Sequence, residues 1–176
     1  MKRILVVIDM QNDFITGALP ADGGVEIVPR IVDKIKNNNY DHYFFTEDFH
    51  FLPQYLDTIE GENIPFHCAF GSEGANFVDK IADLSGLENT HIVSKNSFGS
   101  FRLNGLIKYY VKENEKFEIE LCGVCTDICV VSNALILRTA FPNARIIVDS
   151  NCCAGTTKEA HEAALTVMKN CLIEVI

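Results

Sequence analysis

The sequence predicts an α/β fold of three layers, in which helices cover both faces of a mainly parallel, doubly wound sheet. Short, solid apolar runs typical of strands buried on both faces alternate with segments whose apolar residues recur at helical spacing. No repeat, low-complexity stretch or Pro- and Gly-rich linker interrupts this alternation, which implies βαβ units. We therefore expect a single domain over residues 1–176, large enough to bury a core without disulfides or a structural metal.

The strands are predicted from short runs rich in β-branched and aromatic residues. The first run, over residues 4–8, is entirely apolar, as a strand buried on both faces of a parallel sheet requires. The remaining strands are expected at residues 42–46, 91–94, 117–122, 144–148 and 172–176.

The helices are predicted from apolar residues that fall on one helical face. In residues 25–35, for example, Val28, Ile31 and Ile35 are spaced in this way. Thr156 or Thr157 could cap the last helix, because a hydroxyl can accept a bond from the free amides of its first turn. The other helices are expected at residues 77–84, 106–111, 129–140 and 157–168.

Composition and charge narrow the classes of partner. A net charge of −9 gives a surface that repels phosphate backbones and anionic lipid, so nucleic acid and membranes are not expected as partners. No apolar run approaches the roughly 20 residues that a membrane-spanning helix needs. The chain has seven cysteines, an odd number, and shows no export signal, so reduced thiols in the cytoplasm are expected.

Three residues that could take part in catalysis, a carboxylate, an ammonium and a thiol, follow predicted strands. Ligands bind at this position in sheets of this kind. Asp9 closes the first strand and could act as a partly desolvated general base. Lys95 follows the third strand and could hold a neighbouring carboxylate ionised. Cys129 lies at the start of a helix, whose dipole would lower the pKa of its thiol. Each also has an ordinary interpretation, as a loop-capping Asp, a surface lysine and a core cysteine.

A second group could bind a metal ion. Asp48 and His50 follow the second strand as D-x-H, and His67 lies in a later loop that contains proline. Two imidazoles and a carboxylate suit zinc or a similar divalent ion with open coordination positions. Taken separately, each histidine is more often a core or surface residue than a ligand.

Three motifs together resemble the isochorismatase-like cysteine hydrolases. They are VVIDMQNDF at residues 6–14, KNSFGSF at 95–101 and GVCTDICV at 123–130. The resemblance spans nearly the whole chain and implies that Asp9, Lys95 and Cys129 form the catalytic triad.

Within that superfamily, the D-x-H and the later His-Cys resemble the metal-binding stretch of the nicotinamidases, also called pyrazinamidases. This implies that Asp48, His50 and His67 hold one divalent ion, with zinc as the expected metal. Glu60 stands where some family members carry a further ligand.

The resemblance also implies how the site would work. The thiolate of Cys129 would attack a carboxamide carbon after Asp9 accepts its proton, while the backbone N–H groups of Cys125 and Cys129 form an oxyanion hole. A cis peptide bond between Val124 and Cys125 is expected. We expect Phe14, Phe49 and Val124 to wall the substrate pocket.

The expected activity is hydrolysis of nicotinamide to nicotinate and ammonia through a cysteine thioester, as in NAD salvage. The expected partner is this small amide, and the sequence leaves a homo-oligomer open. One alternative is the same chemistry on another small amide, such as an N-carbamoyl compound, without a metal. Another is a thiol redox or binding protein that uses Cys125 and Cys129.

Overall fold

The structure, a computed structural model, describes residues 1–112 and 115–176 and contains one parallel sheet. The strands within these residues are β1 (Lys2–Ile8), β2 (His42–Asp48), β3 (Thr90–Lys95), β4 (Phe117–Val124), β5 (Arg145–Ala154) and β6 (Glu174–Val175). All neighbouring strands pair in parallel, in the order β3-β2-β1-β4-β5-β6. The predicted doubly wound sheet is therefore confirmed.

The strand order reverses between β1 and β4. The chain runs outward from β1 through β2 to β3, then returns to the other side of β1 and continues through β4, β5 and β6. The two central strands end together, since Ile8 of β1 pairs with Gly123 of β4. At such a reversal the connections leave in opposite directions, which opens a crevice beyond the carboxyl ends of the strands.

Helices cover both faces of the sheet. They are α1 (Asn12–Ile15), α2 (Gly24–Asn37), α3 (Leu52–Leu56), α4 (Ile59–Asn63), α5 (Asp79–Ala82), α6 (Phe101–Tyr110), α7 (Val131–Ala140) and α8 (Lys158–Asn170). Helix α2 contacts α5, and α7 contacts both α6 and α8. A single π-helical turn, Thr126–Val130, leads into α7.

All six predicted strands and the helices expected at 25–35, 129–140 and 157–168 are present, although β5 extends to Ala154, and two other helices differ from their predicted bounds. The helix expected at 77–84 is limited to Asp79–Ala82, because Phe77 instead pairs with Gln11 in an isolated β-bridge. Helix α6 begins well before the expected residue 106, since the Ser100 hydroxyl accepts a bond from the Leu103 amide and caps it. The short helices α1, α3 and α4 have too few residues to show a periodic pattern and were not expected.

The core is built around β1. Its residues from Ile4 to Ile8 are 0% exposed, because strands flank it on both edges and helices cover both faces. The next residue, Asp9, is also 0% exposed and carries the first polar side chain after this run. Within residues 1–112 and 115–176, no helix has both the length and the apolar character needed to cross a bilayer.

Gly123 should tolerate no side chain. Its φ is +119°, and a Cβ there would lie 2.1 Å from the carbonyl oxygen of Ile8. We expect Gly123→Ala to lower the free energy of unfolding by about 3 kcal/mol, measured by urea denaturation. The control is Gly105→Ala in α6, where a Cβ meets nothing within 4 Å. That change should stabilise the protein by about 0.5–1 kcal/mol, and an equal loss in both variants would contradict the steric explanation.

Candidate active site

The three strand-end residues meet in the crevice between β1 and β4. The Nζ of Lys95 lies 2.7 Å from Oδ2 of Asp9 and 3.6 Å from Sγ of Cys129. Asp9 is 0% exposed, and Lys95 and Cys129 are each 5% exposed. Because the strands are parallel, β1, β3 and β4 all end on the same side of the molecule. The long side chain of Lys95 reaches past the end of β2, which lies between β3 and β1. The structure therefore brings together all three predicted residues.

Thr46 holds the carboxylate of Asp9 in place. Its hydroxyl donates to Oδ1 of Asp9 at 2.6 Å, and the Asp9 amide donates back to Oγ1 at 3.2 Å. Thr46 lies at the register position of Ile8 on β2 and is fully buried. Sequence analysis missed it, although a hydroxyl near the end of an apolar strand beside Asp9 is a signal that could have found it.

The charges within the triad depend on one another. Burial raises the pKa of Asp9, and the ammonium of Lys95 opposes this shift. Burial alone would lower the pKa of Lys95, but the negative charges of Asp9, Cys129 and Asp48 outweigh it and raise that pKa well above its ordinary value. Lys95 therefore keeps its proton throughout the neutral range.

The expectation of a lowered thiol pKa is wrong. Burial raises the pKa of Cys129 well above its ordinary value, and the attraction of Lys95 does not fully compensate. The prediction counted the helix dipole but not desolvation, because burial cannot be read from a single strand-end position. The resting thiol is protonated near neutral pH and needs a base to become a nucleophile.

The π-helical turn presents Cys129 to the crevice. It begins after a cis peptide bond between Val124 and Cys125, as expected. The amides of Ile128 and Val130 donate to the Cys125 carbonyl at 3.1 and 3.0 Å. These bonds fix the backbone between the two residues whose N–H groups were predicted to form the oxyanion hole.

Hydrogen bonds of two of its side chains tie this turn to α8 and to the residues just before that helix. Thr126 Oγ1 lies 2.8 Å from Nδ1 of His161 in α8. Asp127 accepts two bonds from Thr156, from its amide at 2.8 Å and from its hydroxyl at 2.6 Å. These contacts fix the first two residues of the turn.

The predicted metal ligands converge on one point, together with Glu60. Oδ2 of Asp48 lies 3.2 Å from Nε2 of His50 and 3.3 Å from Nε2 of His67. Oε1 of Glu60, from α4, lies 3.8 and 3.7 Å from the same two nitrogens. The four donor atoms all lie within 4.8 Å of one another. This separation is close to what ligands of one ion require, since zinc bonds to nitrogen and oxygen are about 2.0–2.2 Å long.

The chemistry of this group also fits a divalent cation. Burial raises the pKa of Glu60, and the nearby charge of Asp48 adds to that shift. Burial would also raise the pKa of Asp48, but hydrogen bonds from His50 and His67 hold the pKa of its carboxyl below the usual range. Nδ1 of His67 lies 2.8 Å from the carbonyl oxygen of Pro65, which directs Nε2 toward the carboxylates. Two carboxylates and two oriented imidazoles are a suitable ligand set for zinc.

Gln11 holds the backbone of Asp48, which belongs with His50, Glu60 and His67 to the candidate metal-binding group. Its amide nitrogen donates to the carbonyl oxygens of Asp48 and Ala75, each at 2.7 Å. Its amide oxygen accepts from the Asp48 backbone N–H at 2.7 Å. Gln11 is fully buried and was not identified from the sequence, because nothing in its local pattern indicates which strand it contacts.

One cavity connects the triad with the metal-binding group. Its volume is about 390 Å³, and its wall includes Cys129, Asp48, Glu60 and His67. Most of the remaining wall is apolar and comes from Phe14, Ala18, Leu19, Pro20, Ile64, Pro65, Phe98 and Ile128. A small, flat ligand with one polar end fits a cavity of this size and character.

Of the three residues expected to wall this cavity, only Phe14 does so. Phe49 packs in a separate aromatic cluster, with ring centroids 5.8 Å from Phe51 and 6.1 Å from Phe70. Successive side chains of an extended segment point to opposite sides, so Phe49 turns away when Asp48 faces the site. Val124 is fully buried in the core at the end of β4. The predictions for Phe49 and Val124 are therefore wrong, and Phe98 and Ile128 were missed.

Comparisons with known proteins agree with this geometry. The model of the isochorismatase domain matches residues 3–176. A nicotinamidase/pyrazinamidase of Mycobacterium tuberculosis is 28% identical over 187 residues, covering 99% of this chain and 98% of the relative. A nicotinamidase of Schizosaccharomyces pombe is 27% identical and covers 98% and 91%.

Two solved structures resemble this chain over nearly its full length. A nicotinamidase from Bacillus subtilis superposes with a TM-score of 0.84 at 27% identity, covering 99% of both chains. The pyrazinamidase of Pyrococcus horikoshii in complex with zinc gives a TM-score of 0.83 at 27% identity, covering 100% of this chain and 99% of the other.

Replacing Gln11 should loosen the metal-binding group. Gln11→Leu keeps the side-chain volume but leaves buried groups of Asp48 and Ala75 without partners. We expect the free energy of unfolding to fall by about 2–4 kcal/mol and zinc affinity to fall about 10–100-fold, measured by urea denaturation and competitive zinc titration. Gln54→Leu in α3, at an exposed position, should change stability by less than about 0.5 kcal/mol. Unchanged zinc affinity in Gln11→Leu would show that Gln11 does not position Asp48.

Proposed function

The chain belongs to the isochorismatase family, and we propose that it is an amidohydrolase that converts nicotinamide to nicotinate and ammonia. One observation carries this proposal: a single cavity adjoins both Cys129, which contacts Lys95 and through it Asp9, and a group of four side chains suited to a divalent ion. The cysteine supplies the nucleophile for an amide carbon. The nicotinamidase relatives and the similar solved structures support the choice of substrate.

The first half of the reaction transfers the acyl group to the protein. Asp9 accepts the proton of the Cys129 thiol as the sulfur attacks the carboxamide carbon. Lys95 remains protonated and compensates the negative charge that moves between the two side chains. The carbonyl oxygen of the substrate becomes an oxyanion, which the backbone N–H groups of Cys125 and Cys129 stabilise by about 3 kcal/mol per donor. Asp9 then gives its proton to the departing ammonia, and the carbon–nitrogen bond breaks.

The second half releases the acid. Asp9 takes a proton from a water molecule, and the resulting hydroxide attacks the thioester carbon. The carbon–sulfur bond breaks and Cys129 regains a proton from Asp9. The raised pKa of Asp9 suits this role, because a base that must also donate its proton works best when its pKa lies closer to neutrality.

Asp48, His50, Glu60 and His67 are proposed to hold one zinc ion. When bound, the ion would supply an electron-pair acceptor that orients the pyridine nitrogen of the substrate. Phe14 lies 5.3 Å from the His67 ring, centroid to centroid, and offers an apolar wall beside that group. The side chains of this chain thus fix the ring while the triad acts on its amide.

We extend the proposal to the cellular compartment and the domain organisation. All seven cysteines are free thiols, which supports a reducing compartment such as the cytoplasm. A role in NAD salvage follows from the proposed hydrolysis of nicotinamide. One sheet carries all the strands of the described residues, which supports treating residues 1–176 as a single domain. A redox role for Cys125 and Cys129 would leave the buried Asp9–Lys95 pair without a purpose.

Ammonia release from nicotinamide tests the function directly. We expect turnover in the unmodified protein and a loss of at least about 10⁴-fold in Cys129→Ala, because no other thiol has the Lys95 contact. Cys125→Ala is the matched control, since only the backbone of that residue takes part, and it should keep most of the activity. Near-normal turnover in Cys129→Ala would overturn the assignment of the nucleophile.

Elemental analysis tests the metal. Protein purified without added metal should contain about one divalent ion per chain, and chelation should abolish activity that added zinc restores. Asp48→Asn should lower zinc affinity by more than about tenfold, whereas Asp57→Asn, at an exposed position, should leave it unchanged. A fully active, metal-free protein would favour the alternative substrate class of small amides without a pyridine ring.

The pH dependence of turnover tests the role of Asp9. Asp9 must be ionised to accept the thiol proton, so activity should fall as pH falls through its pKa. Thr46→Val removes a hydrogen bond that favours the ionised form, so the pKa should rise and the acidic limb should move to higher pH by roughly one unit. Thr139→Val removes a hydroxyl that donates a hydrogen bond to the Leu135 carbonyl in α7 and should leave the profile unchanged. A profile that does not move in Thr46→Val would show that Asp9 does not govern the acidic limb.

A further inference from the structure

Asn133 lies on the buried face of α7, where the helical spacing of apolar residues predicts an apolar side chain. Together with Val130, Ala134 and Leu137, it belongs to the buried stripe of this helix region and is 0% exposed. Burying an amide is unfavourable unless its polar atoms find partners. The partners of Asn133 are therefore informative about why an amide stands there.

The amide of Asn133 joins two segments of the active site. Its nitrogen donates to the carbonyl oxygen of Cys129 at 2.8 Å and to that of Phe98 at 3.2 Å. Its oxygen accepts from the Ser100 backbone N–H at 2.9 Å. One bond thus reaches the backbone of the nucleophile, and two reach the loop that follows Lys95. Both N–H groups of the Asn133 side chain thus donate hydrogen bonds, one to each of the two segments.

The loop at residues 96–100 lies directly against α7 at this point. A Cβ on Gly99 would fall 2.5 Å from Cδ1 of Ile136 and 3.3 Å from Cβ of Ser132. Ser100 in turn caps α6 through its hydroxyl, which accepts from the Leu103 amide at 3.2 Å. The loop therefore carries Lys95 at one end, the cavity residue Phe98 in its middle and a fixed helix start at the other end.

We propose that Asn133 is a positioning residue, which sets the separation between the Lys95 loop and Cys129. It contacts neither the substrate nor the reacting atoms. It acts through Lys95, whose Nζ lies 3.6 Å from the sulfur, and through Phe98 in the cavity wall. The reaction it serves rests on the proposed function, but the link itself can be tested through the thiol alone.

The test uses two substitutions of similar size and one control. Asn133→Asp keeps an acceptor for Ser100 but loses both donors, and Asn133→Leu loses all three bonds. The control, Leu137→Val, removes a methylene from the same buried stripe without touching the loop. Urea denaturation of each variant ranks its stability, and Asn133→Ser replaces either substitution if that variant fails to fold.

The first readout is turnover of nicotinamide. We expect kcat to fall about 10–100-fold in both Asn133 variants, while KM changes by less than about threefold, because a misplaced catalytic group affects the chemical step more than binding. Leu137→Val also destabilises the buried stripe but should keep kcat within about twofold. Asn133 variants that lose no more kcat than Leu137→Val would reduce Asn133 to a structural residue and overturn the proposal.

The second readout needs no substrate. Iodoacetamide alkylation of Cys129, located by peptide mass spectrometry, depends on the thiolate that Lys95 favours. We expect Asn133→Leu to slow it about tenfold in the unmodified background and to change it by less than about twofold beside Lys95→Ala, since coupled residues are not additive. Equal effects in both backgrounds, or faster alkylation, would overturn the proposal. A protein that releases no ammonia but shows this coupling would refute the proposed substrate and leave the positioning role intact.

Discussion

A single buried ammonium group holds the site together. Lys95 lies within 2.7 Å of Asp9 and 3.6 Å of both Cys129 and the Oδ1 atom of Asp48, in surroundings from which water is almost excluded. Without this cation, a carboxylate and a thiolate buried side by side would repel each other strongly. Lys95 lies at the end of β3, two positions away from β1 in the sheet, so its side chain must reach past β2 to contact Asp9. The lysine side chain is long enough to cross the end of β2, and no shorter cationic side chain could make the same contacts.

The same cation connects two chemistries that otherwise occupy separate parts of the cavity. Asp48 offers one oxygen to His50 and His67 and turns the other toward Lys95. A change in charge at the metal-binding group is therefore felt by the triad through two atoms of one carboxylate. In the proposed reaction, Asp48 would therefore couple the orientation of the substrate to the attack of the thiolate electrostatically.

Much of this arrangement could be predicted from the sequence, for reasons that also define the limit of the prediction. Asp9, Lys95 and Cys129 could be found because parallel strands bring their carboxyl ends to one edge, so a polar residue after an apolar run points to the site. Phe49 was placed wrongly because the direction of a side chain after a strand depends on which neighbour faces inward. Thr46 and Gln11 were missed because their hydrogen-bond partners lie at least 37 residues away in sequence. The raised pKa of Cys129 could not be foreseen, because desolvation is a property of the packed protein.

The two halves of the site differ in how far apart their parts lie along the chain. Asp48, His50, Glu60 and His67 come from one continuous stretch, whereas the triad draws on residues 9, 95 and 129, which lie at or beyond the ends of three different strands. Local contacts close small loops and can form early during folding, while the triad requires β1, β3 and β4 to be docked first. The stretch from 48 to 67 contacts Lys95 of the triad through its first two residues, the carboxylate of Asp48 and the backbone amide of Phe49. It could therefore change during evolution as a unit, so that a lineage could exchange its substrate range and keep its inherited nucleophile.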